Sequence, residues 1–500
     1  MKTFKILFTI GFLFTATSLV AQSRHFNAQT LGMGNGGTAF IDGYNANFLN
    51  PANLMINNSG RKPKREIGIS GLGIQAFGSL LNLDVYNKYL TNGDIIEGEL
   101  RENMLNDWFD NGNHSTLSFN TNVDVVPLGF SNRGNKYAFS FATRFRSLNT
   151  AKVNKGYMDL LWYGLDSKQF KNGEEVNFSF NTLSFSEISV GFAMELPIPL
   201  MDVIEMLPFV NGMKVYAGIA PKYMIGFQAI DFNFNSNLKV DPVAVSNQAI
   251  THTFDYSLES YGDISEQLGD FVNARKTNPA AKLNDFFDYS GSDLGSLGSA
   301  FALDLGVTAE MDVSIPSLNI LGDRQILRVS MSLTDIGKVS FDDRPSVVSD
   351  RDTFVFDGDA GDMSTNDYFD NISDSLENDV YVSFDSDKTG KKKYDLPSMF
   401  NFDTALTLGK LTTTLDYGYA SNDVGKTVKG SSLALGLEYR FINFIPIRFG
   451  TRYGDKSTVY SFGTGLDFRY FTFTTGLMAV NDASKGVGVS TAHSGLVFRF

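Results

Sequence analysis

Long stretches of this chain alternate strictly between two kinds of residue, and a period of two admits only strands with two different faces. In 433–441 the odd positions are Leu433, Leu435, Leu437, Tyr439 and Phe441, with Ala434, Gly436, Glu438 and Arg440 between them. Ile445, Ile447, Phe449, Thr451 and Tyr453 alternate with Pro446, Arg448, Gly450 and Arg452. Upstream, Tyr137, Phe139, Phe141, Thr143 and Phe145 alternate with Ala138, Ser140, Ala142, Arg144 and Arg146. A soluble sandwich would bury the apolar face. A membrane barrel would turn it to lipid and line its lumen with the small and polar face.

Three features favour the barrel. The N-terminus, Met1-Lys2-Thr3-Phe4-Lys5 followed by an apolar stretch from Ile6 to Val20 and then Ala21-Gln22, has the form of a secretory signal cleaved after Ala21. Tyr and Phe cluster near predicted strand ends, as aromatic girdles do. The chain finishes with Leu496, Phe498 and Phe500 on one face, which resembles the C-terminal signal read by the outer-membrane barrel assembly machinery.

Composition agrees. Aromatics make up 13%, with 44 Phe and 20 Tyr, while charged residues stay at 19%; aromatics suit half-buried pleated surfaces. The mean hydropathy of −0.10 is that of strands whose two faces average out. No apolar run after residue 20 approaches the ~20 residues a membrane helix needs. With no cysteine, disulfides, thiolate metal sites and lipid-modified cysteines are excluded. A net charge of −13 argues against nucleic acid as a partner.

The alternation predicts strands at 66–78, 115–128, 136–147, 182–194, 213–229, 299–310, 326–340, 399–409, 411–420, 431–441, 445–454, 458–468, 471–480 and 487–500. Fourteen is an even number, as single-chain bacterial barrels require. The expected fold is therefore an all-β, antiparallel transmembrane barrel over 65–500, a monomer in outer-membrane lipid and lipopolysaccharide. With both termini in the periplasm, short turns such as Gly409-Lys410 and Arg469-Tyr470 fall inside. The long connections 79–114, 148–181, 230–298 and 341–398 fall on the cell surface. Apolar residues at helical spacing (Ile96, Leu100, Met104, Trp108; Phe369, Ile372, Leu376, Val380; and within 263–288) predict short helices in those connections.

Ahead of the first strand, Leu31-Gly32-Met33-Gly34 is followed by Asn50-Pro51-Ala52. This resembles the start of FadL-type outer-membrane transporters and the related PorV-like barrels. The resemblance implies that 22–64 folds inside the lumen as a hatch, with Gly32, Gly34, Asn50, Pro51 and Ala52 as its motif. Asp335-Ile336-Gly337, Leu396-Pro397 and Phe301-Ala302-Leu303-Asp304-Leu305-Gly306 resemble an uncharacterised group of such barrels from bacteria with type IX secretion. The resemblance implies either a transporter or channel for small hydrophobic or amphipathic molecules, or a surface scaffold that docks secreted proteins or lipoproteins.

The candidate lumen charges are Arg144, Arg146, Glu438, Arg440, Arg448 and Arg452, accompanied by Asp304, Asp416, Asp467 and Arg469. Across the 442–444 turn Glu438 should face Arg448. We read the arginines as pinning the hatch. The connection 341–390 holds fourteen acidic residues against three basic ones, and its Asp357, Asp359 and Asp362 are weak calcium candidates, lacking the full loop spacing. No nucleophile elbow and no metal-spaced histidine pair is present, so neither an enzyme nor a cofactor is expected.

Overall fold

The structure, a computed structural model, describes residues 27–58, 65–112 except 92 and 94, 115–198 except 167, 209–243, 247–261, 298–316, 324–341, 347–348, 352–358, 392–421, 429–454, 457–482 and 486–500, with isolated positions between 267 and 278. The expected signal peptide, 1–21, lies outside the described residues.

Fourteen antiparallel strands close on themselves: β1 (Arg65–Gly78), β2 (Thr116–Arg133), β3 (Tyr137–Asn154), β4 (Phe178–Glu195), β5 (Val210–Val243), β6 (Gly298–Val313), β7 (Gln325–Phe341), β8 (Met399–Leu408), β9 (Leu411–Ala420), β10 (Gly430–Ile442), β11 (Ile445–Gly454), β12 (Ser457–Asp467), β13 (Phe471–Asp482) and β14 (Gly486–His493 continued by Leu496–Arg499). The seam closes where β1 meets β14, with Leu72 opposite His493 and Ile67 opposite Phe498. Every strand expected from the alternation is present, two of them (411–420 and 445–454) with identical bounds.

The faces follow parity. Leu433, Leu435, Leu437, Tyr439 and Phe441 are exposed, whereas Ala434 and Glu438 are buried. Around a closed barrel, which satisfies its backbone within the sheet, an exposed apolar belt is a lipid-facing surface. The chain is a membrane-spanning barrel.

Short turns gather at one end: 134–136, 409–410, 443–444 and 468–470. Phe500 is held there by backbone hydrogen bonds with Arg65. At the opposite, loop end the wall is lopsided, because β2 to β7 run 16 to 34 residues and β8 to β13 only 10 to 13. Three connections expected to be strand-free carry strands here, the first of them, 148–181, at Glu174–Glu175, which pairs with β5. Beyond Gly226 β5 stays paired with β4 up to Phe234 and takes Asn247–Tyr261 in place of β6 as its other neighbour, and Asn247–Tyr261 pairs in turn with Asp352–Gly358. Lys392–Asp395 pairs with the end of β7. These segments find partners in one another, which no local pattern reveals.

The expected helix near 96–108 is α2 (Gly98–Trp108), burying Met104 and Leu105. A further helix, α3 (Lys155–Tyr163), starts on Asn154, whose side chain accepts from Tyr157 N; it was not anticipated. The helix expected over 369–380, and nearly all of that within 263–288, lie outside the described residues.

Residues 27–58 fill the lumen. Helix α1 (Ala28–Leu31) is capped by Asn27, whose Oδ1 accepts from Gln29 N at 2.8 Å. Tight helical turns follow at Thr38–Phe40, Gly43–Phe48 and Pro51–Met55. Asn50 caps the last of these by accepting from Ala52 N at 3.1 Å, with Pro51 pre-set for the first position.

Candidate functional site

Three sequence pieces far apart in the chain meet at one point of the wall. Residues 301–306 of β6 run beside 332–337 of β7, and Leu396–Ser398 flank β7 on its other side. There the ladder breaks. Leu305 faces Leu333 but Leu303 faces Ile336, so β7 carries one extra residue. This is a β-bulge. Asp335 occupies it with φ 55°, in the left-handed region, which Asp tolerates better than most residues. Asp304 accepts the Asp335 N–H at 2.6 Å, and Ser398 Oγ donates to the Asp335 carbonyl at 2.6 Å. Between β7 and β8 pairing stops at Thr334–Met399 and resumes, through Lys392–Asp395, at Lys338–Asp395.

The bulge turns the Asp335 carboxylate into the lumen, where a buried charge cluster forms. Lys222 Nζ lies 2.6 Å from Asp335, 2.7 Å from Asp304 and 3.2 Å from Glu187. Arg146 reaches Asp335 at 2.9 Å and Asp124 at 3.6 Å. Arg144 pairs with Glu187 and lies 3.8 Å from Asp124. Six strands, β2 to β7, each supply at least one of these groups. All seven side chains are buried, and buried charges persist only when paired. The hatch caps the cluster from the turn end: the Arg144 guanidinium stacks 4.4 Å above the Phe48 ring.

On the loop-end side of the charges an apolar cluster lines part of the lumen, beside the buried polar Gln75, Asn120, Asn122 and Thr150. Phe185, Met224, Ala302, Val339, Phe341 and Leu396 form one buried cluster, joined by Leu148, Leu183 and Tyr261. Arg146 lies over Phe185 at 5.4 Å, so the charged and apolar layers touch. On the lipid side of the same break stand exposed Phe301 and Ile336.

The segment 27–58 is held by close backbone approach and by hydrogen bonds to both neutral and charged groups of the wall. A Cβ on Gly450 would overlap Gly34 N, and one on Gly436 would lie 2.8 Å from Met33 Cβ. Gly32 packs on Gly463. Gly218 and Gly306 face each other across β5 and β6 and make room for Pro51–Ala52 and Asn50. Asn50 Nδ2 donates to Thr308 Oγ1 at 3.1 Å, Gly34 N to Ser461 Oγ at 2.7 Å, and Thr38 N to Asp416 at 2.9 Å. Three arginines do grip the hatch, but they were not singled out from sequence. Arg133 donates to the Ile56 carbonyl at 2.9 Å, Arg324 to Asn57 and Asn58 carbonyls, and Arg328 to the Asn58 side chain.

The arginines that were singled out bond chiefly to acids of the wall. Arg144 and Arg146 belong to the cluster above. Glu438, Arg440 and Arg448 form a second network at the turn end. Arg448 meets Glu438 at 2.8 Å, and Arg440 joins Glu438 at 2.7 Å to Asp467 at 2.5 Å. Arg499 carries the chain from Asp467 to Glu66 on β1. Arg452 is buried on β11. Arg469 does not face the lumen; it lies exposed on the 468–470 turn, over Tyr470. Asp357 stands in the Asp352–Gly358 strand opposite Ala249, not in a loop, and Asp359 and Asp362 lie outside the described residues.

Sequence reasoning missed Glu187, Lys222, Asp124 and Asp335. Parity could have found Glu187, since exposed Val190, Phe192 and Met194 set the outward face of β4, and Lys222 likewise beside Tyr223. Asp335 was out of reach, because a bulge reverses parity beyond it.

A sequence model of a family described only as a family of unknown function (DUF5723) matches residues 69–477. No curated protein matches the chain. Among solved structures it is similar to the toluene transporter TbuX of Ralstonia pickettii, at 11% identity over 95% of this chain and 98% of that one, TM-score 0.42. It is similar to the toluene transporter TodX of Pseudomonas putida at 10% identity over 96% and 98%, TM-score 0.42. A FadL homologue of Pseudomonas aeruginosa follows at 11% over 97% and 98%, TM-score 0.38.

Proposed function

The chain belongs to this DUF5723 family of unknown function, and from the geometry of its own site we propose that it is an outer-membrane channel or transporter for small hydrophobic or amphipathic molecules. The observation that carries the reading is the break in the wall at Asp335–Gly337, with an apolar lumen cluster and a charged floor behind it and lipid-facing Phe301 and Ile336 in front. The hatch fills the lumen, so a straight aqueous path is closed. An apolar cargo entering at the loop end meets the cluster around Phe185 and Met224, is stopped by the charges, and leaves sideways where the strand ladder is already broken. A paired ion cluster repels apolar groups because they cannot replace its mutual hydrogen bonds. In this reading the turn end with Phe500 faces the periplasm, the loop end faces outward, and one chain suffices because the barrel closes alone.

Cross-linking tests this. The chain has no cysteine, so Leu303→Cys with Ile336→Cys, which face each other beside the bulge, would form the sole disulfide. Uptake of a hydrophobic fluorescent dye by cells carrying the oxidised pair should fall and return on reduction. A control pair, Leu435→Cys with Thr451→Cys on the short half, should leave uptake unchanged. Equal uptake by the oxidised and reduced Leu303/Ile336 pair would exclude the lateral route.

A further inference from the structure

At the loop end, α3 and the two-residue strand Glu174–Glu175 press two carboxyl groups together. Asp159 is fully buried and Glu174 partly so. Lys155 Nζ sits 3.2 Å from Asp159 Oδ2. The other oxygen, Asp159 Oδ1, and Glu174 Oε2 are both sealed from solvent, and neither receives an N–H or O–H. The strand presses on α3 at this point: a Cβ on Gly156 would lie 3.0 Å from Glu174 Cγ, so the two carboxyl groups are packed as neighbours. An ionised carboxylate has no donor, so two such groups can hydrogen-bond to each other only when one of them holds a proton, and burial side by side favours that state.

The surroundings offer little else to neutralise it. From α2, Glu102 adds negative charge, while Arg101 is engaged with the Trp162 carbonyl at 2.6 Å and the Tyr163 ring. On β5, Leu238 stands opposite Glu174 and is buried, which turns its neighbour Lys239 to the other face of the sheet. Helix α3 itself is the keystone of this end. Leu160 joins Phe170, Val176, Leu238 and Ile250, while Met158 joins Leu105, Phe109 and Leu117 beside α2.

We propose that the Asp159–Glu174 pair is a proton-operated latch: one shared proton holds α3 on the Glu174–Glu175 strand, and losing it loosens the cap. Burial, and then the Asp159 carboxylate, push Glu174 up to about 7; burial also raises Asp159, against the pull of Lys155. The latch therefore acts in the neutral range, open on the alkaline side.

The protein carries its own reporter. Its two tryptophans, Trp108 and Trp162, both lie in this cap with ring centroids 5.9 Å apart, edge to face. Tryptophan emission of the full chain, folded in detergent micelles, should be titrated from about pH 5 to about pH 9. We expect one transition centred near 7. Glu174→Gln, whose amide donates permanently to Asp159, should abolish it and keep the low-pH emission throughout. Asp159→Asn serves as the second variant should the first fail the heat-modifiable electrophoretic test of barrel folding, with the same expectation. A flat wild-type titration, or a transition that survives in the folded variants, overturns the latch. So does a return to the low-pH emission on adding calcium at about pH 8, which would make the pair a cation site.

Discussion

At Gly450 the wall and the hatch touch backbone to backbone, since any side chain there would occupy the place of Gly34 N. Overpacking a filled interior costs about 1–3 kcal/mol. Gly450→Ala should lose stability on that scale in urea unfolding from lipid vesicles. Protease cleavage within 27–58 should appear, because the displaced hatch is no longer sealed in the lumen. Asp335 is a different kind of residue. It answers Lys222 and Arg146 together, so Asp335→Ala leaves two cations without their shared partner. Breaking a buried pair in this way costs about 3–5 kcal/mol. The same unfolding measurement should show the larger loss for Asp335→Ala than for Gly450→Ala; equal losses would mean that the cluster does not depend on the bulge.

Among the elements, the seam strand β14 depends on Arg499, which bridges Glu66 on β1 and Asp467 on β12 at 3.0 and 2.8 Å. Hydrogen bonds to charged groups contribute about 1.5–3 kcal/mol each. Arg499→Ala should therefore lower the temperature at which the barrel loses its compact electrophoretic form, and Arg499→Lys should restore part of it. For the cap the sign follows from Glu174, whose folded value lies above its ordinary 4.5. Its contribution is complete below about 4.5, falls as pH rises toward about 7, and is absent above that. Hydrogen exchange of α3, corrected for intrinsic rates, should quicken across that interval. The strands themselves were legible because parity is local: two residues on, the side chain returns to the same face. The β5 extension with its partner Asn247–Tyr261 was not read, although Ile230, Phe232, Phe234, Leu238 and Val240 alternate on one face, because alternation gives a strand's faces and not the neighbour that it pairs with.

For the whole molecule, the proposed function implies that the segment 27–58 blocks conduction through the barrel. A chain lacking 27–58 should give stable ohmic currents in planar bilayers where the full chain gives none. Currents of similar size from both would show that the hatch does not block the lumen. Strand number, direction and the inward or outward sense of most residues were determined by the sequence alone, since alternation and turn length are properties of neighbours along the chain. The sequence also marked Asn50-Pro51-Ala52 and the Asp335-Ile336-Gly337 piece, without saying what either touches. Only the tertiary structure decided that Arg146 should meet a residue 189 positions away. Only it decided that Asp335, Leu396 and Phe301 should share one break in the wall. The physical reason is closure: joining β14 to β1 fixes which strands face each other across the lumen. A single extra residue in β7 then reverses the parity on which every local inference rests.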